Sequence, residues 1–72
     1  MKERYYITLF DKIGRIFKHE VAESLTSCID FLDMFISPEE LKLECMEHDD
    51  ITTLLYYNNE YYTVTIHVVR LN

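Results

Sequence analysis

From Glu60 to Leu71 the side chains alternate in kind almost without a break. Tyr62, Val64, Ile66 and Val68 fall on one face of an extended chain, and Tyr61, Thr63, Thr65 and His67 on the other. A period of two over this length means a β-strand with one face in a core and one toward water. Such a strand needs antiparallel neighbours and a second layer to bury its apolar face. All of that has to come from a chain of 72 residues, which makes one domain at most, here residues 1–72.

The neighbours are visible upstream. Tyr5-Tyr6-Ile7-Thr8-Leu9-Phe10 is rich in β-formers, and Asp11-Lys12-Ile13-Gly14-Arg15 follows with the only glycine of the chain. Asp opening a type I turn and Gly in a left-handed position after it predict a three-residue hairpin loop with a bulge. In that register Phe10 faces Ile16, Leu9 faces Phe17, Ile7 faces His19 and Tyr5 faces Val21, so that His19 and Val21 join Tyr5, Ile7, Leu9 and Phe17 on the core side. Next, Leu25, Cys28, Ile29, Leu32, Phe35 and Ile36 recur at the spacing of one helical stripe, with Ser24 as N-cap and Asp30 and Asp33 on the far side.

The stretch Ile36–Asp50 gives two opposed signals. Ser37-Pro38-Glu39-Glu40 is a helix start, with a capping box and an Ile36/Leu41 staple. Leu41, Leu43 and Cys45 alternate with Lys42 and Glu44 as in a strand. The capping signals are satisfied by one turn, so the reading is a turn at 38–40 and then a strand to about Glu47. That strand places Leu43 and Cys45 in the core, with Leu43 paired near Leu55, where Leu43→Ala would cost about 2–4 kcal/mol. His48-Asp49-Asp50 is a turn, Ile51–Tyr57 a strand, and Asn58-Asn59 a two-residue hairpin loop that sets Leu55 opposite Tyr62 and Tyr56 opposite Tyr61. The expected fold is α+β, ββαβββ, an antiparallel β-sheet with one amphipathic helix packed on one face over Ile7, Leu9, Phe17, Leu43, Cys45, Val64 and Ile66.

The charge is lopsided. Residues 1–19 carry net +3, residues 20–60 net −10, and the whole chain −6. Direct nucleic-acid binding is not expected of such a chain, because that affinity comes from Lys and Arg neutralising phosphates. No run of about 18 apolar residues suggests a membrane span, and the N-terminal stretch lacks the apolar core of a signal peptide. A cytoplasmic protein with Cys28 and Cys45 as buried, inert thiols is the expectation.

Nothing in the sequence forms a phosphate loop, a nucleophile elbow or a paired Cys/His metal spacing. His19, His48 and His67 sit in three different elements, and His19 reads as a core histidine. His48-Asp49-Asp50 offers proper metal donors but no fixed partners. No catalytic, cofactor or metal residue is therefore assigned, and the chain is not expected to be an enzyme. Two surfaces remain. One is acidic: Asp30, Asp33, Glu39, Glu40, Glu44, Glu47, Asp49 and Asp50, opposed in sequence only by Lys42. The other is the sheet face left uncovered by the helix, with Tyr6, Phe10, Leu54, Tyr56 and Tyr61 at its centre, joined by Ile16, Met46 and Val69 and interleaved with Lys18, Lys42, Thr52, Thr63, Thr65 and His67.

In size, acidity and compact α+β character the chain resembles, as a class, small phage-encoded proteins that disable host machinery, such as anti-CRISPR proteins and polymerase inhibitors. The resemblance is one of composition and carries over no residue. It implies a non-enzymatic inhibitor, in the host cytoplasm, whose acids occupy the basic surface of a nucleic-acid-handling protein. The rival reading is a homodimeric accessory subunit that associates through the tyrosine-rich sheet face.

Overall fold

The computed structural model describes residues 2–71. Five strands and one helix follow one another as β1 (Lys2–Asp11), β2 (Ile16–Ala22), α1 (Leu25–Asp33), a single 3₁₀ turn (Pro38–Glu40), β3 (Lys42–His48), β4 (Thr52–Asn58) and β5 (Tyr62–Leu71). The strands form one antiparallel sheet in the order β2-β1-β5-β4-β3. An α+β fold with a five-stranded antiparallel sheet and one short helix is the architecture.

The first and last strands are neighbours at the centre. Ten residues of β1 pair with ten of β5, from Lys2 opposite Leu71 to Asp11 opposite Tyr62. Their inward side chains, Tyr5, Ile7 and Leu9 from β1 and Val64, Ile66 and Val68 from β5, make up most of the core, and Ala22, Cys28, Leu32 and Ile36 close it from above. Ile7, Leu9 and Val64 are essentially solvent-free.

The β1–β2 loop is built as its residues dictate. Gly14 has φ +88°, the left-handed conformation that a side chain disfavours. The Gly14 amide donates to the Asp11 carbonyl at 3.0 Å, and Asp11 Oδ1 accepts from the amides of Ile13 and Arg15 at 3.1 and 2.9 Å. Phe10 lies opposite Ile16, as the loop requires, but Leu9 then lies opposite Lys18, Ile7 opposite Glu20 and Tyr5 opposite Ala22. The expected partners Phe17, His19 and Val21 are each displaced by one. The cause is a bulge at Phe17, whose ring packs against Phe35 and Tyr62 at 5.9 and 5.5 Å between centroids. An extra residue in an edge strand inverts every face beyond it. His19 is therefore not a core histidine: with Val21 it faces away from the helix and is exposed.

Ser24 caps α1 by accepting the Ser27 amide at 3.1 Å. The helix has only nine residues and lies against β2 and β1. Cys28 and Leu32 are its buried side chains, while Leu25 and Ile29, expected on the same stripe, are exposed. A helix this short covers half of one sheet face. Leu43 and Met46, on β3 at the far side, are 50% and 60% exposed.

The Ile36–Asp50 conflict resolves into both structures in succession, the 3₁₀ turn and then the strand. The strand, however, has a bulge between Leu43 and Cys45. Leu43 pairs with Tyr57 rather than near Leu55, and Cys45 pairs with Tyr56 on the face opposite the helix. Leu43 is thus only half-buried, and its truncation to Ala is worth about 1 kcal/mol rather than the larger core value. The last hairpin is also longer than a two-residue loop. Asn59 Oδ1 accepts from the Tyr61 and Tyr62 amides at 2.8 and 2.6 Å, which places Asn58 opposite Thr63 and Leu55 opposite Ile66.

The two thiols differ accordingly. Cys28 is 1% exposed, and burial pushes its pKa up to about 11; Cys45 is exposed. A thiol reagent at neutral pH and low protein concentration should modify Cys45 of the native protein quickly and Cys28 only on unfolding. Mass spectrometry that finds both cysteines slow, or both fast, would refute this placement.

Candidate acidic groove on the β3 edge

β3 is an edge strand, and every one of its side chains is exposed. At its start the 3₁₀ turn presents Glu39 and Glu40, the bulge presents Glu44, and the loop between β4 and β5 presents Glu60 from a different part of the chain. These four carboxylates surround an open groove of about 670 Å³ that is also lined by Lys42, Asn58, Asn59 and Tyr61. Asn58 Nδ2 donates to Glu44 Oε1 at 3.2 Å and fixes one wall. The lining is net −3 at neutral pH by simple count of its charged residues. Such a groove attracts cations and repels phosphate.

Of the eight acids expected to form one surface, only Glu39, Glu40 and Glu44 line this groove. Glu47 lies three residues further along β3, roughly 10 Å from Glu44 at the rise of an extended chain. Asp49 and Asp50 are in the turn beyond. Asp30 and Asp33 are exposed on α1 and do not line the groove. Glu60 was not expected there. A two-residue Asn-Asn loop would place it in the strand, whereas the longer turn from Asn59 to Tyr62 holds it out beside β3.

The acids also differ in what they do for the fold. Asp49 Oδ1 accepts from the amides of Ile51 and Thr52, each at 2.8 Å, and from the Thr52 hydroxyl at 3.2 Å. These bonds, that from the Thr52 amide foremost, hold its carboxyl below the usual range. Asp11 is held down in the same way by the Arg15 amide above all. Both are turn-forming carboxylates. Asp49, expected only as part of the acidic surface, is thus also a structural residue of its turn. Among the described residues the ion pairs are Arg4–Glu23 at 3.6 Å and Arg15–Asp11 at 3.1 Å, so no base pairs with the groove acids.

The expected tyrosine face is only partly assembled. Tyr6, Phe10, Leu54 and Tyr56 share the face opposite the helix, since Tyr6 and Leu54 both pair with His67 and Tyr56 pairs with Thr65, next to Thr63 opposite Phe10. Ile16 and Val69 lie there too. Tyr61 does not: it belongs to the loop at the groove. Met46, opposite Leu55, and Lys18, opposite Leu9, are on the helix side.

No helix among the described residues is long and apolar enough to cross a membrane. No cluster of three or more metal-binding side chains occurs among them. No family model, curated protein or solved structure matches the chain.

The role of Asp49 gives a pH test. A carboxylate whose pKa is lowered by folding stabilises the fold above its unfolded value, near 3.8, and that contribution is lost as pH falls through the folded value. Asp49→Ala should lower the melting temperature at neutral pH and flatten its fall at acid pH, while Asp50→Ala should leave both unchanged. Equal effects of the two substitutions in thermal melts would contradict the assignment.

Proposed function

We propose that the chain is a non-enzymatic binding protein whose acidic β3 edge receives Lys and Arg side chains of a basic partner. The observation that carries the reading is the groove itself. Four acidic residues from three separate segments line it, with Lys42 as the one base in the lining and no ion pair among the described residues to neutralise them. Exposed charges of this kind contribute little to folding, and like charges oppose it. Complementary charge instead speeds encounter and orients a partner.

The partner class follows from the chemistry. Surfaces dense in Lys and Arg belong above all to proteins that hold nucleic acid, where they neutralise phosphates. A carboxylate groove competes for the same cationic side chains, so the proposed role is that of an inhibitor or regulator that occupies such a surface. Glu47 and Asp50 extend the acidic edge beyond the groove and would add to orientation.

Affinity capture from lysate with the chain as bait tests this. The expected result is a basic nucleic-acid-handling protein whose retention falls steeply with salt and which added DNA or RNA displaces. Replacing Glu39, Glu40, Glu44 and Glu60 together by Gln should keep the fold, raise the melting temperature slightly and weaken binding by roughly tenfold or more. A captured partner whose affinity is indifferent to salt and to the four substitutions would refute the reading.

A further inference from the structure

We infer that the sheet face opposite the helix is a self-association surface, covered in solution by the same face of a second copy of this chain. Strand pairing brings Tyr6, Phe10, Ile16, Val21, Leu54 and Tyr56 onto that face from β1, β2 and β4. Tyr6, Ile16, Val21 and Tyr56 remain exposed, although all four are large apolar or aromatic side chains. A shallow groove of about 420 Å³ runs between Phe10 and Tyr56 over Thr63 and Thr65. The helix lies on the other side, so nothing in the described chain covers this surface.

Two observations favour a second copy. The first is the distribution of charge. The chain is 28% charged residues, yet the charged side chains of this face are peripheral. Lys2 and Arg4 lie at one end of β1, opposite Leu71 and Val69, and Lys42, Glu44 and Glu47 lie on the β3 edge. The centre, across β1, β5 and β4, holds aromatic, aliphatic, threonine and histidine side chains. The rim also holds the Lys12 ammonium, which bonds Asn58 at the Phe10–Tyr56 end of the face; a centre without formal charge inside such a rim is the anatomy of a protein interface.

The second is area. Five strands about 4.8 Å apart, over seven residues at about 3.4 Å each, make a face of roughly 570 Å². Two such faces in contact, the charged rim included, remove roughly 1,150 Å², just under the range of about 1,200–2,000 Å² for standard interfaces and above the roughly 1,000 Å² that a biological interface clears.

The alternative edge-to-edge association is disfavoured by the fold. Each outer strand carries a bulge, at Phe17 in β2 and at Glu44 in β3, and the β3 edge is acidic. Both are devices that block strand addition. A face-to-face pair needs neither edge and leaves the groove at Glu39, Glu40 and Glu60 at the periphery. The two surfaces meet at Lys42, Glu44 and Asn58, while Glu39, Glu40 and Glu60 belong to the groove alone.

Analytical ultracentrifugation of the full chain over a concentration series tests the inference. The expected mass rises from one chain of 8.7 kDa to two, and Tyr6→Glu with Tyr56→Glu should hold it at one, with an unchanged far-UV circular dichroism spectrum. Should that double variant fail to fold, the wild-type protein still decides. On dilution its amide chemical shifts should move on residues of β1, β4 and β5 around Tyr6, Leu54, Tyr56 and Thr65. A wild-type chain that stays a monomer at millimolar concentration overturns the inference. So does a dimer that survives the double substitution, or dilution shifts confined to the helix or an outer edge. Gln substitutions at Glu39, Glu40 and Glu60 alone should leave the dimer intact, so a failure of this surface is distinguishable from a failure of the acidic one.

Discussion

The pairing of β1 with β5 is the interaction on which the other elements depend. Ten residues from each end of the described chain lie side by side, and their inward side chains supply Ile7, Leu9 and Val64, the best-buried aliphatic residues. Each such side chain contributes about 1.5–3 kcal/mol by burial. In a domain of this size that is a large share of the total stability. β2 is attached to this centre by the Gly14 turn and β4 by the Asn59 turn; α1 rests on β1 and β2, and β3 is attached only through β4. Closing a loop of some sixty residues adds little to the entropic cost compared with a shorter one, but contacts of such separation slow folding.

Much of this could be read from the sequence, and the exceptions have physical causes. The period-two run at 62–71 is a strand whose inner face buries Val64, Ile66 and Val68. The Asp11–Arg15 turn forms because Gly14 accepts a left-handed backbone, and Ser24 caps the helix as its position suggests. What local patterns do not contain is the pair of bulges. A bulge is one unpaired residue, and here its partners are distant in sequence: Phe17 packs with Phe35 and Tyr62, and Glu44 accepts a cross-strand bond from Asn58. That single residue moved His19, Val21, Cys45 and Met46 to the opposite faces from those expected. The helical stripe failed at Leu25 and Ile29 because a nine-residue helix set over two strands needs fewer apolar positions than the sequence offers.

The same logic applies to the candidate groove. The run Glu39–Asp50 is evident as an acidic run, but the contribution of Glu60 depends on strand order and on the true length of its loop. Asp49 belongs to the turn because its side chain reaches the amides two and three residues on, a pattern that Asp followed by Thr three residues later permits. The fold divides its resources unevenly. The β1–β5 centre and the helix hold the core. β3 buries little, carries like charges and has a bulge, which guards an edge against strand addition while leaving its side chains free to meet a partner.

Stability resides in the β1–β5 ladder, while β3 is a weakly held edge. Native-state amide hydrogen exchange, followed by NMR on dilute protein, tests it most directly. The amides of β1 and β5 that bond within the ladder around Ile7, Leu9, Val64 and Ile66 should exchange only through global unfolding. The hydrogen-bonded amides of β3 should exchange through local opening, orders of magnitude faster. Protection in β3 equal to that of the central ladder would contradict the account.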